Sequence, residues 1–510
     1  MAVSADRVPN RAILTACAML ATLMQSLDST IANVALPYMQ GSLGASQDQI
    51  NWVLTSYIVA AAIMTSPTGW LSSRFGRTRL FTVAVLGFTV ASVLCGLAQS
   101  IEQIVLFRLL QGVFGASLVP LSQAVMFDIY PAEQRGSAMA MWGIGVMVGP
   151  ILGPTLGGWL TQNYDWRWVF YINVPIGLIA AFGILTFLPE TRRLRSGFDW
   201  TGFGLLSLGL GAFQMMLDRG SQLDWFGSTE IIVEAALAGI GLYGFVVHFL
   251  LADRPFISPR LFRDLNFVVG TVFIFLVGLI LYATLALLTP YLQNLMHYPV
   301  LTAGLVLAPR GAGTMIAMFL CGRLLGHVSV RVLVLSGFGL TIYALWLMMG
   351  FTPDVSAEQV VVSGFLQGLS VGFVFVSLST VTFATLSAEL RTQGTSIYSL
   401  MRNLGSAIGI SVTGALLVSN TQANHAEIAS LVTPFNQALT SGAALRYWNP
   451  MHATGAAALN AEITRQATII AYVDDFKLML IISVLALPLV FALRKPKGTV
   501  AAAGHEAVMD

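Results

Sequence analysis

Charge is what this sequence has least of. Only 50 of its 510 residues are charged, 26 basic and 24 acidic. That is 10 %, where a soluble domain carries about a quarter. So few charges cannot cover the surface of a soluble protein of this length. With 56 % hydrophobic residues and a mean hydropathy of +0.76, the composition predicts a polytopic membrane protein. A net charge of +2 gives no footprint for nucleic acid. Cysteine is scarce as well. Cys17, Cys95 and Cys321 lie in apolar segments and read as small core residues, not as a disulfide framework or metal site. The six histidines show no metal-ligand spacing, and no Walker-type nucleotide loop is present. ATP is therefore not the expected energy source. No nucleophile stands with a base inside an apolar run, so nothing supports a membrane enzyme.

What is there is a series of apolar runs of about 20 residues. They predict spans near 13–36, 50–71, 79–99, 103–126, 137–160, 168–188, 201–217, 230–251, 268–290, 301–325, 331–350, 359–385, 394–419 and 477–493. Arg7 and Arg11 precede the first run, as in a secretory leader. The run outlasts a leader's apolar core and holds Asp28, so it reads as a first transmembrane helix starting in the cytoplasm. With sides alternating from there, 18 basic residues fall on the cytoplasmic side and 5 outside, while Arg108, Arg310 and Arg402 stay inside spans. This bias fits the positive-inside rule and puts both termini in the cytoplasm. Residues 420–475 form a polar outer segment, either a passive loop or a binding surface.

The chain repeats itself. Pro37-Tyr38-Met39-Gln40 matches Pro290-Tyr291-Leu292-Gln293 at an offset of 253, and Leu110-Gln111-Gly112 matches Leu366-Gln367-Gly368 at an offset of 256. The second offset also aligns Glu133 and Arg135 with Glu389 and Arg391. The reading is an all-α protein of two six-span halves, 1–195 and 263–510, with two linker helices inserted at 196–262. Parallel halves of this kind build major facilitator transporters.

Charges in lipid need a reason. Of the acids, Asp28 is the one placed clearly deep in a span. It lies about 12 Å from the outer end of its helix, and Arg108 about 8 Å from the same side. A carboxylate and a guanidinium at one depth suit a proton-binding site, since wetting and drying shift the carboxyl's affinity for a proton. They equally suit a fixed structural ion pair. Residues 69–79 (GWLSSRFGRTR) form a short basic link between spans 2 and 3, in which Gly69 and Gly76 permit a tight turn and Arg74 and Arg77 can hold the cytoplasmic side shut. In span 5, Gly149, Pro150, Gly153, Pro154, Gly157 and Gly158 combine broken backbone bonding with a smooth face. This suits either a moving interface between halves or simple tight packing. Gln25, Asn33 and Gln111 offer hydrogen bonds to a cavity or between helices. Arg310 either lines the cavity, where it would attract anions, or bonds carbonyls freed by Pro309.

These motifs resemble those of the fourteen-span drug:proton antiporters of the major facilitator superfamily, and of EmrB-type exporters in particular. The match runs through residues 27–37 (LDSTIANVALP), 69–79, 108–112 (RLLQG), 149–158, 166–177 (WRWVFYINVPIG), and 217–220 (LDRG) followed by 224–226 (DWF). It covers nearly the whole chain. The resemblance implies a major facilitator fold of 14 helices (6 + 2 + 6). It implies a proton-coupled secondary-active multidrug exporter working by alternating access in a bacterial inner membrane. No cofactor is expected beyond the proton gradient. Hydrophobic drugs, protons, a periplasmic adaptor and an outer-membrane channel are the implied partners, with 420–475 the candidate adaptor contact. A proton-coupled transporter of one specific solute, exporter or importer, is the alternative. Asp28 and Arg108 would couple protons, Gln25, Asn33, Gln111 and Arg310 line the cavity, and the glycines, prolines and arginines named above gate. The family usually has an acid where this chain has Ser73, so gating must rest on the arginines. Gly364 occupies the position equivalent to Arg108, which leaves the charged pair to the first half.

Overall fold

The computed structural model describes residues 10–191, 193, 197–352, 354–433, 448–449 and 452–494. Among them the structure is helical, without strands. Lipid imposes this, because only a helix satisfies its own backbone groups within one segment. Twelve helices are long and apolar enough to cross a membrane, and two bent helices bring the number to fourteen. We number them α1 (Arg11–Leu43), α2 (Gln47–Thr65, bent by 59° into Thr68–Phe75), α3 (Arg77–Leu97), α4 (Ile101–Ile129), α5 (Arg135–Asn163), α6 (Trp168–Phe187) and α7 (Trp200–Arg219). They continue with α8 (Thr229–Leu251), α9 (Leu265–Leu295), α10 (Val300–Leu324), α11 (Val330–Met349), α12 (Ala357–Ala384), α13 (Ala388–Ser430) and α14 (Ala453–Ala492). The fourteen-span expectation holds.

Helix ends follow local chemistry. Gly44 closes α1 in the left-handed region (φ 62°), and Ser46 opens α2 with a capping box to Gln49. Ser100 caps α4 by accepting from the Gln103 N–H. Large apolar side chains such as Phe182, Tyr243, Leu250 and Leu251 point outward, as a lipid-facing surface requires.

Packing follows the internal repeat. In the first six spans α1 packs on α5 and α6, and α2 on α4; in the last six α9 packs on α13, and α10 on α12. Gly112 lets α4 close on the Tyr57 carbonyl, where an added Cβ would lie 2.5 Å away. Gly368 does the same for α12 on the Arg310 carbonyl, at 1.9 Å. Tyr57 and Arg310 are themselves 253 residues apart. Small residues at helix contacts are how membrane helices approach closely. The inserted pair α7 and α8 meet at Gly209 and Gly241, and Gly211 sets α7 against Ile63 of α2.

The polar segment at 420–475 is largely helix. Residues up to 430 continue α13, and residues from 453 continue α14; 434–447 lie outside the described residues. A helix of 43 residues spans about 64 Å, twice the roughly 30 Å of a bilayer core. The two therefore project together beyond the membrane, joined by a His425 Nε2···Asn460 Oδ1 contact of 3.1 Å. The polar composition of this stretch does not mark the end of a helix.

Gly405 of α13 sits where a Cβ would lie 2.1 Å from the Phe275 carbonyl oxygen, while Gly414 has open space around it. Gly405→Leu should force α9 and α13 apart and cost about 1–3 kcal/mol. Gly414→Leu should be neutral. Paired thermal unfolding curves in detergent will check the difference.

Candidate transport site

The polar centre of the first six spans is built from five helices. Asp28 (α1) and Arg108 (α4) are both 0 % exposed. Arg108 Nη1 donates to Asp28 Oδ2 at 2.6 Å and to Gln111 Oε1 at 2.7 Å. Gln111 Nε2 in turn donates to Asp28 Oδ1 at 2.8 Å and to Ser92 Oγ of α3 at 2.7 Å. Asn173 Nδ2 of α6 adds a 3.2 Å bond to Asp28 Oδ1. Arg108 Nε donates to the Val53 carbonyl at 3.0 Å, and the guanidinium lies 4.2 Å from the Tyr57 ring centre. Every element has a reason to be there: a buried carboxylate needs a cation and donors on both oxygens, or its desolvation goes uncompensated.

Arg108 and Gln111 stand one helical turn apart and so share a face of α4. That face meets α1 at the depth of Asp28. The equal depths inferred from the sequence thus become a direct pair. Gln111, expected on a cavity wall, is instead fully buried inside the network. Gln25 is half-buried and donates to the Tyr57 hydroxyl at 3.4 Å. Asn33 is exposed further along α1.

Arg310 lies in the other half. It is 7 % exposed, and its Nη2 donates to the Leu281 carbonyl at 2.9 Å. Its Nη1 has no partner among the described residues. The carbonyl it meets belongs to α9, not to a group freed within its own helix.

A second polar cluster closes the end of the bundle that carries the α2–α3 link. Asp128 of α4 is paired with Arg77 on one oxygen and with Arg391 of α13 on the other, the latter at 2.8 Å. Arg77 Nη2 also reaches Thr392 Oγ1 at 3.0 Å, and Thr395 Oγ1 donates to the Pro120 carbonyl at 3.0 Å. These bonds tie the first six spans to the last six. Gly69 presses on Gln393, with an added Cβ only 2.6 Å from Gln393 Cα. Gly76 (φ +91°) turns tightly against Glu190. Arg74 is exposed. Among the described residues Ser73 bonds only its own helix, Oγ donating to the Gly69 carbonyl at 3.0 Å.

The glycine face of α5 packs within its own half. Added Cβ atoms at Gly149, Gly153 and Gly157 would meet Ser26, Thr30 and Ile31 of α1, at 2.6, 2.1 and 2.9 Å. Gly158 faces Val34 at 4.0 Å. The contact with α10 of the other half is made nearer the start of α5, where Gly136 meets Leu325 and Gly143 meets Met318. The helix bends by 40° between Pro150 and Thr155; the Pro154 side chain lies outside the described residues. The smooth face thus holds α1, and with it Asp28, in register.

Sequence reading missed several members. Ser92, Tyr57 and Asn173 are ordinary-looking polar residues in apolar spans, and only Asn173 fell inside a quoted motif. Asp128 lies just past the predicted end of the fourth span at 126. Asp475 was placed in the outer segment, yet it lies in α14 and is 1 % exposed.

A fourteen-span helical bundle with a buried ion pair in one half and ion-paired closure across one end is the architecture of a membrane transporter. The chain belongs to the Major Facilitator Superfamily, whose profile matches residues 18–410. It is 37 % identical to the multidrug export protein EmrB of Escherichia coli, over 95 % of this chain and 96 % of that one. It is 38 % identical to EmrB of Haemophilus influenzae (83 % and 84 % covered) and 36 % identical to the fatty acid resistance protein FarB of Neisseria gonorrhoeae (94 % and 95 %). Among solved structures, the human organic anion transporter MFSD10 superposes with a TM-score of 0.61 at 16 % identity, covering 93 % of this chain and 100 % of its own. The proton:xylose symporter XylE gives 0.59 at 13 %, covering 92 % and 94 %. Both share the fold.

Arg108→Leu should strand the Asp28 carboxylate and cost about 3–5 kcal/mol, the usual penalty for breaking a buried pair. Adding Asp28→Asn should recover part of that loss. Unfolding of the single and double variants in detergent checks the coupling.

Proposed function

We propose that the protein is a proton-coupled, secondary-active exporter of hydrophobic drugs, working by alternating access in a bacterial inner membrane. The observation that carries the reading is the Asp28 carboxylate, buried and held by one cation and two amides. A carboxylate in a dry site keeps its charge only while its partners stay in place. When the site opens to water or the α1–α4 contact loosens, proton affinity changes and a proton exchanges. Substrate and proton then compete through conformation. Gln25, half-buried beside Tyr57, and Asn33 on the exposed side of α1 belong to the substrate path on this reading.

The described conformation fits one limb of the cycle. The arginine-rich end, cytoplasmic on the positive-inside rule, is closed by Arg77, Asp128 and Arg391. The two six-helix sets are the moving bodies, and the bend in α5 absorbs their motion. With Ser73 confined to its own helix, closure rests on the arginines. Arg310 supports a cavity that accepts carboxylate-bearing amphiphiles, because its Nη1, without a partner among the described residues, is a desolvated donor suited to an anion. The energy source is the proton gradient alone. The projecting ends of α13 and α14 are the contact for a periplasmic adaptor leading to an outer-membrane channel.

Two measurements test this. Asp28→Asn keeps an oxygen for Gln111 and Asn173, so the protein should stay folded. It should lose proton-driven dye efflux from proteoliposomes under an imposed pH gradient. Undiminished efflux would sink the coupling role. Removing residues 425–460 should weaken capture of the adaptor while leaving dye binding in detergent unchanged; capture at the original strength would make the projection a bystander.

A further inference from the structure

The last six spans hold a displaced counterpart of the Asp28 site. At the offset of 253 that aligns α1 with α9, Asp28 falls on Leu281; Thr284 stands one turn further along α9, and Gln367 occupies the repeat position of Gln111. The same bond links them: Gln367 Nε2 donates to Thr284 Oγ1 at 3.0 Å. Where α6 brings Asn173 to the first site, α14 brings Met479, whose sulfur accepts from Thr284 at 3.4 Å. One turn outward on the same face of α14 stands Asp475. The repeat position of Asp28 thus carries no acid, while the neighbouring helix α14 does.

Asp475 differs from Asp28 in having no partner. It is 1 % exposed, and neither carboxyl oxygen has a hydrogen-bond partner among the described residues. Its surroundings are aromatic and aliphatic. Tyr472 and Phe476 flank it on α14, with Tyr291 of α9 at 5.3 Å from the Tyr472 ring and Phe351 at 6.0 Å from the Phe476 ring. α11 and α13 add Leu345, Met348 and Leu417 to the same cluster. The titratable groups around it are Asp474 beside it and the phenols of Tyr472 and Tyr291; Lys477 points outward, exposed. An ionised carboxylate enclosed this way, next to a second acid and without a cation, costs several kcal/mol. The neutral acid avoids that cost.

Its depth favours exchange with the outer solution. Leu493 sits at the arginine-rich end, where its carbonyl accepts from Arg331 Nε at 2.8 Å. Asp475 lies about 27 Å along the helix from there, close to the far boundary of a core roughly 30 Å thick.

We propose that Asp475 is a second proton-binding carboxyl of this carrier, protonated in the conformation described and loaded from the side opposite the arginine-rich end. It rests on the proton-coupled reading for its purpose but not for its test. The purified protein in detergent, with protons as the only ligand, should show the infrared carbonyl band of a protonated carboxylic acid at neutral pH. Raising the pH should convert it to a carboxylate band in the wild type. Asp475→Asn should remove it, and should bind one proton fewer across the same titration. Asp28→Asn should leave it in place. A wild type without the band, a band unaffected by Asp475→Asn, or one that survives to the pH of unfolding would each overturn the proposal. These outcomes are independent of whether Asp28→Asn abolishes efflux.

Discussion

One buried ion pair organises the first half of this molecule. Asp28 and Arg108 have no access to water, so each depends on the other for its charge. That dependence fixes the depth and rotation of α1 against α4. It also recruits Gln111, Ser92 and Asn173 to fill the remaining lone pairs, and Tyr57 to cover the guanidinium. The glycines of α5 follow from the same constraint, because they let α5 clamp the turns of α1 on either side of Asp28. A pair this enclosed contributes little net stability against an apolar alternative. On the proposed reading its value lies in being switchable: one proton would remove the charge that holds the network together.

The second half keeps the frame and disperses the charge. Gly112 and Gly368 make the same close contact, and Gln111 and Gln367 the same amide bond. The cation has moved from α4's counterpart to α10, as Arg310, and the acid from α9 to α14, as Asp475. Among the described residues Arg310 meets only a backbone carbonyl, and the Asp475 carboxyl has no hydrogen-bond partner. Duplicated geometry with unequal charge gives one half a locked pair and the other two groups without an ion-pair partner among the described residues.

Most of the fold was legible because lipid removes alternatives. Low charge, apolar runs of bilayer length and arginine asymmetry leave little besides a helical bundle, and the repeat offsets fix which helices correspond. Depth arithmetic brought Asp28 to Arg108 because both are counted from the same surface. It failed for Asp475 because the polar stretch before it continues α14 as helix, so its acid was assigned to the outer segment. It could not find Asn173 or Ser92, since rotation about a helix axis is set by packing and one sequence does not record it. The glycines of α5 were legible as a packing face, but which neighbour they meet is a tertiary fact. Closure through Asp128 was hidden for a similar reason: a span-end acid looks solvated until Arg391 arrives from 263 residues away.

The central claim is that Asp28 trades a proton against substrate. Proton release on drug binding, followed with a pH indicator in weakly buffered detergent, tests it most directly. The account predicts release by the wild type on addition of an exported dye, and a loss of about one proton per molecule of that release in Asp28→Asn. Equal release by the two proteins would contradict it.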